Sequence, residues 1–390
     1  MKRLSIIFLA FFVLASCSKG DDNNGDNNAG GDKKSDAKAI TTFTFLADDN
    51  VALADDVKAT IDEGEKAINA EVPFGTDVTA LKATITISEK TKVSPESKTT
   101  QDFTEAVEYT VTAEDGSQVT YAVTVSITGP TDRQVLKLLL DANPDNILGW
   151  NLDEGELNDL EGVYSMDGIE IDSLILFEKQ LSVIPPSIGE LSNLVNLIAS
   201  GNAITQLPGQ IGELSNLRYL SLDDNQITDL PDSLWKLTNL ELLALGDNSL
   251  TSLPAEVGAL VNLKLLEFSN NPIVSLPEEI GNLTKLERLT IFNNDLTSLP
   301  TSIGNLANLR ILFLSGNEIT ALPSEIENLT NLNSFYIERN QLTSLPVEIG
   351  NLSVLRDLRI RSNPLTSIPK EICDLDLLVF LRDDTTVCEQ

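Results

Sequence analysis

The sequence contains no histidine, few aromatic residues and only three cysteines. Aromatic residues make up 5% of its 390 residues, and the cysteines are Cys17, Cys373 and Cys388. The absence of histidine removes the commonest general base and the commonest metal ligand. No nucleophile elbow, phosphate-binding glycine loop or metal-spaced cluster of ligands occurs either. We therefore predict that the chain is not an enzyme and that it binds no cofactor and no metal.

Basic residues are also scarce. Lysine and arginine total 27 against 59 acidic residues, which gives a formal net charge of -32. Phosphate groups would be repelled by such a surface, so nucleic acid and anionic membrane surfaces are excluded as general partners. We expect a soluble, monomeric protein with no nucleic-acid partner.

Long hydrophobic runs are absent except at the start of the chain. Lys2 and Arg3 precede an apolar run over residues 4–14, which is too short for a membrane span and is typical of a signal core. The following Leu-Ala-Ser-Cys, ending at Cys17, resembles a bacterial lipobox. The resemblance implies that residues 1–17 are a lipoprotein signal peptide with cleavage before Cys17. It also implies lipidation of Cys17, so that several acyl chains hold the protein at the membrane.

Residues 18–37 read as a flexible acidic tether, because they contain nothing to bury. Lys19, followed closely by Asp21 and Asp22, resembles the acidic signal that sends some lipoproteins to the outer face of the cell. These resemblances imply an exported outer-membrane lipoprotein that faces the outside of the cell.

Residues 38–128 have a period of two, which favours β-strands. Alternating runs at 109–112 and 121–125 flank Asp115-Gly116, a strong hairpin signal. We predict a small antiparallel β-sandwich. The segments 73–78, 93–95 and 109–117 resemble the immunoglobulin-like modules of surface lipoproteins of the Bacteroidetes type, and we interpret this module as a stalk.

Gly129-Pro130 ends that module, and a helix is predicted directly after it. Thr131 and Gln134 fit a capping box, and the apolar pattern stops before Asn143-Pro144. Residues 146–150 and 162–163 resemble the N-terminal cap of plant-type leucine-rich repeats, although the usual paired cysteines are missing. We predict that residues 131–170 form an N-terminal helical cap.

A repeat of 23 residues occupies the rest of the chain. One unit, residues 207–227, matches the leucine-rich-repeat pattern, and residues 171–370 are predicted to form repeats of this kind. The resemblance implies an α/β solenoid with parallel strands on its concave face. Prolines recur at positions 185, 208, 231, 254, 277, 300, 323, 346 and 369, and asparagines recur at 202, 225, 248, 271, 294, 317, 340 and 363.

The recurring residues have structural tasks. Leu217, Leu220 and Leu222 are expected to point inward and to stack on their equivalents in neighbouring coils. The recurring asparagines are expected to form a ladder in which buried side-chain amides bond to the backbone of adjacent coils. The last segment, residues 371–390, is predicted to be a C-terminal cap. In an exported protein Cys373 and Cys388 are expected to form a disulfide that closes it.

Residues between the inward leucines vary from repeat to repeat, so they carry the information for binding. Exposed Phe292, Phe313 and Tyr336 on consecutive coils are costly to leave in water, and arginine beside aromatic residues is typical of binding hot spots. The predicted partner-binding residues are Arg288, Phe292, Ile311, Phe313, Tyr336, Arg339, Arg356, Arg359 and Arg361.

Together these features resemble a leucine-rich-repeat surface lipoprotein of the Bacteroidetes type with an N-terminal immunoglobulin-like module. The resemblance implies a lipid-anchored binding or adhesion protein that presents its concave face to a protein partner. The alternative is that the same face captures a glycan, such as an acidic polysaccharide or a peptidoglycan-type ligand. A third interpretation is that these side chains only cover one another.

Overall fold

The structure, a computed structural model, describes residues 34–389. The chain divides into two compact units, with the boundary between Thr128 and Gly129. The predicted signal peptide, Cys17 and most of the predicted tether lie outside the described residues. Within residues 34–389, no helix is both long enough and apolar enough to cross a membrane.

Over its described residues, 34–128, the first unit consists of two β-sheets and two short 3₁₀ helices, Ala47–Asp49 and Val78–Ala80. Its strands alternate buried and exposed residues, which is the pattern of sheets with one face in a core. The sheet orders are β2-β1-β5-β7 and β3-β4-β9-β8-β6. The strands are β1 Ile40–Phe45, β2 Val57–Lys58, β3 Thr60–Asp62, β4 Ala67–Val72, β5 Leu81–Ile87, β6 Lys92–Ser94, β7 Thr100–Gln101, β8 Val107–Thr112 and β9 Gln118–Ile127.

The predicted hairpin is confirmed. Strands β8 and β9 pair antiparallel from Thr112 and Gln118 outward, and Gly116 takes the left-handed conformation that the turn needs. One pairing differs from the expectation of purely antiparallel sheets, because β4 and β9 run parallel. Residues 73–117 separate the two strands, so the chain can return in the same direction, which a local pattern of alternation does not reveal.

Aromatic side chains form the core of the first unit. Phe43 and Phe45 meet edge to face with ring centroids 5.5 Å apart, and Tyr109 and Phe103 each pack edge to face against one of them. All four rings are buried. Burial raises the pKa of Tyr109 to about 12, because the charged phenolate is disfavoured away from water.

The second unit is a solenoid built on an eleven-stranded sheet. Its strands run parallel except at the first edge, where β10 pairs antiparallel with β11. The strands of this sheet are β10 Val163–Tyr164, β11 Ser173–Ile175, β12 Asn196–Ile198, β13 Tyr219–Ser221, β14 Leu242–Ala244, β15 Leu265–Glu267, β16 Arg288–Thr290, β17 Ile311–Phe313, β18 Ser334–Tyr336, β19 Asp357–Arg359 and β21 Val379–Leu381; β20 Ser367–Ile368 and β22 Val387–Cys388 form a separate pair.

Helix α1, Asp132–Ala142, covers the first end of the solenoid. The predicted capping box is present, with Thr131 and Gln134 exchanging side-chain and backbone hydrogen bonds. The buried Asn143 amide then accepts hydrogen bonds from two backbone N–H groups of the first coil. Gly162 has a φ of +80°, and a Cβ there would lie 2.1 Å from the Ile175 carbonyl oxygen, so only glycine allows the β10–β11 pairing.

The leucine columns and the asparagine ladder are confirmed. Asn271, for example, donates from Nδ2 to the Leu245 carbonyl of the preceding coil at 3.0 Å, and its Oδ1 accepts from the Leu250 N–H at 2.9 Å. At the ends other residues replace the ladder asparagine. The Lys179 N–H donates to the first ladder amide, and the Thr386 hydroxyl donates to the Leu365 carbonyl.

Short helices occupy the side of each coil opposite the sheet. In each regular repeat a 3₁₀ helix follows the recurring proline, whose restricted φ suits the turn into the helix. The final coil instead has α2, Lys370–Cys373, and the predicted disulfide joins Cys373 to Cys388. The 3₁₀ helices of the second unit are Leu157–Asp159, Pro186–Glu190, Gly209–Glu213, Asp232–Lys236, Ala255–Ala259, Glu278–Asn282, Thr301–Asn305, Ser324–Asn328 and Val347–Asn351.

Candidate functional site

Each strand from β11 to β19 has three residues, and its middle residue points into the core. Leu289, Leu312 and Phe335 at the middle positions are fully buried, whereas most of the first and third residues are partly accessible. We call the side that carries the first and third residues the outward face. Because neighbouring strands pair in strict register, Phe313, Tyr336 and Arg359 lie side by side on β17, β18 and β19.

Four of the predicted residues form one continuous stack on the outward face. The Arg288 guanidinium lies over the Phe313 ring at 5.1 Å, and the Arg359 guanidinium lies over the Tyr336 ring at 4.1 Å. Between them the Phe313 and Tyr336 rings are stacked, with centroids 4.3 Å apart and an interplanar angle of 15°. Strands about 4.8 Å apart place the equivalent side chains of Phe313, Tyr336 and Arg359 at stacking distance, and Arg288 reaches Phe313 from the first position of the neighbouring strand. We call these four residues the aromatic–arginine column.

Asp357 closes the column at one end. It accepts hydrogen bonds from Arg359 Nε at 3.0 Å and Nη2 at 2.9 Å, and the Tyr336 hydroxyl donates to the same carboxylate at 2.5 Å. Burial, and then the bond to Asp357, raise the pKa of Tyr336, while the same carboxylate raises the pKa of Arg359. The charge of Arg359 is therefore balanced within the column. Within residues 34–389, no carboxylate lies at ion-pairing distance from Arg288.

The sequence predicts that Phe292, Phe313 and Tyr336 are exposed. In the structure all three are half-buried, so their exposure is smaller than predicted. In-register packing covers the faces of the Phe313 and Tyr336 rings, an effect that inspection of single positions does not include. Phe292 lies two residues beyond β16, and its ring is not part of the stack. Its backbone N–H donates to the Ser269 hydroxyl.

The remaining predicted residues are not brought into the column. Ile311 begins β17 and is half-buried on the outward face, and Arg339 is exposed in a left-handed turn with a φ of 55°. Arg356, just before β19, donates to the carbonyls of Ser353 and Leu355. Arg361 is exposed, and its Nε donates to the Arg382 carbonyl at 3.4 Å.

Two further sets of residues are not among the predicted partner-binding residues. Tyr219, Leu242 and Leu265 begin three neighbouring strands and form an apolar strip that leads to Arg288. Charged and amide side chains also line up just before the strands. Aligning the repeats at the 23-residue step and reading the columns just before the strands, as well as the residues between the leucines, would have found the second set.

The comparisons with known proteins agree with this division of the chain. Residues 40–125 match the family described as SGBP, N-terminal. Residues 208–298 match the family described as leucine-rich repeat region, and residues 284–342 match leucine rich repeat. The chain joins an SGBP-type module to leucine-rich repeats. No curated protein sequence matches it significantly.

Several solved structures resemble the chain. The leucine-rich-repeat ectodomain of the plant membrane receptor kinase GASSHO1/SCHENGEN3 from Arabidopsis thaliana, in complex with CASPARIAN STRIP INTEGRITY FACTOR 2, is 28% identical with a TM-score of 0.58. The match covers 63% of this chain but only 31% of the receptor ectodomain. A leucine-rich-repeat protein from Leptospira interrogans is 30% identical with a TM-score of 0.34, over 54% of this chain and 71% of that one.

Proposed function

We propose that this protein is a lipid-anchored binding protein of the cell surface that presents the outward face of its solenoid to a protein partner. The match of residues 40–125 to the SGBP N-terminal family, followed by leucine-rich repeats, supports a surface binding protein. The structural resemblance to a receptor ectodomain that was solved with a bound partner supports a solenoid that binds through its repeats. We assign no reaction to the protein.

The observation that carries the proposal is the aromatic–arginine column. Its side chains belong to the types that dominate binding energy at protein interfaces. They hold one another in place, and Asp357 fixes Tyr336 and Arg359 further. Binding would therefore order few additional side chains, which reduces the entropy lost on association. Arg288 supplies an uncompensated charge beside the apolar strip of Tyr219, Leu242 and Leu265, so a partner segment with apolar and acidic side chains fits this face.

The column also favours a protein over a glycan at this face. Sugars bind aromatic residues mainly by stacking on the ring face, and the stack leaves the rings of Phe313 and Tyr336 covered by each other and by the two arginines. Ring edges remain available, and these suit the edge-to-face contacts of protein side chains. Glycan capture remains the second candidate for the whole protein, because the SGBP family name denotes surface glycan-binding proteins.

The lipid anchor rests on the sequence alone, since Cys17 lies outside the described residues. We expect metabolically labelled fatty acid to appear on the wild-type protein in its native bacterium, and a Cys17→Ala variant to remain unlabelled and to leave the membrane fraction. Labelling that persists in the variant would contradict the assignment of Cys17.

The binding proposal is tested with the triple variant Phe313→Ala, Tyr336→Ala and Arg359→Gln. Purified wild-type chain is used to capture partners from native surface extracts and is also screened against protein and glycan arrays. We expect a protein ligand that the triple variant loses while it keeps the circular-dichroism spectrum of the folded chain. The matched control is Val274→Ala with Val347→Ala, which removes exposed apolar side chains elsewhere on the solenoid and should leave binding unchanged. A protein ligand held equally by the triple variant would refute this site.

A further inference from the structure

A row of charged side chains precedes the strands of five consecutive coils. Arg218, Glu241, Lys264, Glu287 and Arg310 each stand one residue before a strand, so the sign of the charge alternates from coil to coil. Glu241 pairs with Arg218 at 3.2 Å and with Lys264 at 2.7 Å, and Glu287 pairs with Arg310 at 3.8 Å. This row runs across the sheet near the edge where the strands begin, and it shares no residue with the aromatic–arginine column.

A second row lies two residues earlier in each coil and consists mainly of asparagines. Asn239, Asn308 and Asn331 each donate from Nδ2 to a backbone carbonyl of the preceding coil at 2.7–2.8 Å. These bonds fix the amide planes, and all three side chains are exposed, so their Oδ1 atoms stay available as acceptors. Asn262 is held in the same way, and its Oδ1 accepts from Lys285, which takes the asparagine position in its own coil.

The two rows enclose two adjoining open hollows of about 370 Å³ and 210 Å³. We call their lining the cationic ridge: Arg218, Asn239, Glu241, Asn262, Lys264, Lys285, Glu287, Asn308, Arg310 and Asn331.

The cationic ridge reverses the charge of the protein locally. It carries four cationic side chains and two carboxylates, a balance of two positive charges on a chain whose net charge is -32. The bond from Lys264 lowers the pKa of Glu241, so this carboxylate stays charged and holds both of its cationic neighbours in place. Lys285 contacts only an amide oxygen and Arg310 is mostly exposed, so both can pair with an outside anion.

We propose that the cationic ridge binds an acidic polysaccharide in which charged and neutral sugars alternate. In the row just before the strands, cations recur on every second coil, which corresponds to about 10 Å between them. Each sugar of an extended chain advances by roughly one strand spacing, so carboxylates on alternate sugars meet Arg218, Lys264 and Arg310. Hydroxyl groups of the sugars between them donate to the amide oxygens and to Glu241 and Glu287. An acidic polypeptide lacks this supply of hydroxyl donors. The site is separate from the outward-face site and does not depend on it.

The test uses the full chain and hyaluronan, whose charged and neutral sugars alternate, as the immobilised probe. Lys264→Gln with Lys285→Gln and Arg310→Gln is expected to weaken binding by roughly tenfold or more, because charge-assisted hydrogen bonds are lost. Glu241→Gln is expected to strengthen binding, since it frees Arg218 and Lys264. Lys236 is an exposed lysine on a 3₁₀ helix away from the ridge, so Lys236→Gln should leave hyaluronan binding unchanged.

The thermal melting of each variant is measured first, and the Glu241→Gln gain provides a readout that misfolding cannot imitate. Neutral dextran and poly-glutamate serve as comparison probes. Preference for hyaluronan, together with opposite effects of the lysine/arginine and Glu241 changes, supports the proposal. Absence of binding, equal binding by the triple variant, or stronger binding to poly-glutamate overturns it. Loss of protein-partner binding in the Phe313, Tyr336 and Arg359 variant leaves this outcome unaffected.

Discussion

The inward and outward residues of the solenoid strands differ in how much they vary between coils, although they are neighbours in sequence. The middle residue of nearly every strand is a buried leucine, and each turn after strands β13 to β19 brings a buried asparagine into the ladder. One residue away, on the outward face, the side chains change from coil to coil. The inward positions repeat because each coil must fit the next, whereas the outward positions face water or a partner and are free to differ. Substitutions at inward positions should therefore cost more stability than substitutions at outward positions.

The outward side is itself divided. In the aromatic–arginine column, the rings of Phe313 and Tyr336 stack on each other and Asp357 accepts hydrogen bonds from Arg359. Most of these side chains therefore already have partners within the protein. In the cationic ridge, cations outnumber carboxylates and amide oxygens stay open. The side chains of the first surface hold one another in place, which suits contact with a folded partner. The second surface has charged groups and amide oxygens that face solvent.

The contribution of the ladder asparagines to stability is tested by Asn271→Leu. The substitution leaves the Leu250 N–H and the carbonyls of Leu245 and Phe268 without their amide partner, so we expect about 3–5 kcal/mol of destabilisation. Urea unfolding followed by circular dichroism measures this. Asn331→Ala is the matched control, because that exposed amide makes a single surface bond, and its effect should stay under about 1 kcal/mol. Equal effects would remove the distinction between ladder and surface asparagines.

The end of the solenoid is tested by Cys388→Ser with Cys373→Ser. Opening a loop with a sequence separation of 15 residues is expected to destabilise the last coil by roughly 3 kcal/mol. Because a solenoid couples mainly neighbouring coils, the loss should be local. Hydrogen exchange should increase around β20, β22 and β21 and stay unchanged near β13. A uniform increase along the solenoid would show that the whole unit unfolds together.

The stacking of Phe313 on Tyr336 is tested by a double-mutant cycle of Phe313→Ala and Tyr336→Leu. Stacked aromatic pairs contribute about 0.5–1.5 kcal/mol beyond their buried area, so a coupling energy of about 1 kcal/mol is expected from unfolding measurements. A cycle of Phe292→Ala with Tyr336→Leu serves as the control, since Phe292 is outside the stack, and it should show almost no coupling. Equal coupling in both cycles would contradict the stack.

Glu267, on the outward face of β15, gives the smallest effect. Burial raises the pKa of this carboxyl, so the native state disfavours its charged form. A raised pKa means that the native chain binds the proton more tightly than the unfolded chain, so this group destabilises the fold as the pH rises above its unfolded pKa. Glu267→Gln should therefore raise the melting temperature at pH 7 and have little effect near pH 3. Stabilisation that is equal at both pH values would contradict a pH-linked cause.

The sequence alone determined the solenoid and much of its construction. The 23-residue spacing requires one coil per repeat, and the recurring leucines and asparagines can satisfy a buried interior only if they stack in columns. The capping box at Thr131 and Gln134, the turn at Asp115-Gly116 and the pairing of Cys373 with Cys388 each depend on residues that are close in sequence, and all three appear in the structure.

Only the tertiary structure decided what the variable side chains do. Whether Phe313 and Tyr336 face water or each other depends on the register and spacing of separate coils, and the same holds for the bond between Tyr336 and Asp357, 21 residues apart. The cationic ridge likewise exists because charges 23 residues apart meet at pairing distance. The local sequence pattern predicts which face a residue occupies, but the contacts along that face depend on how neighbouring coils pack.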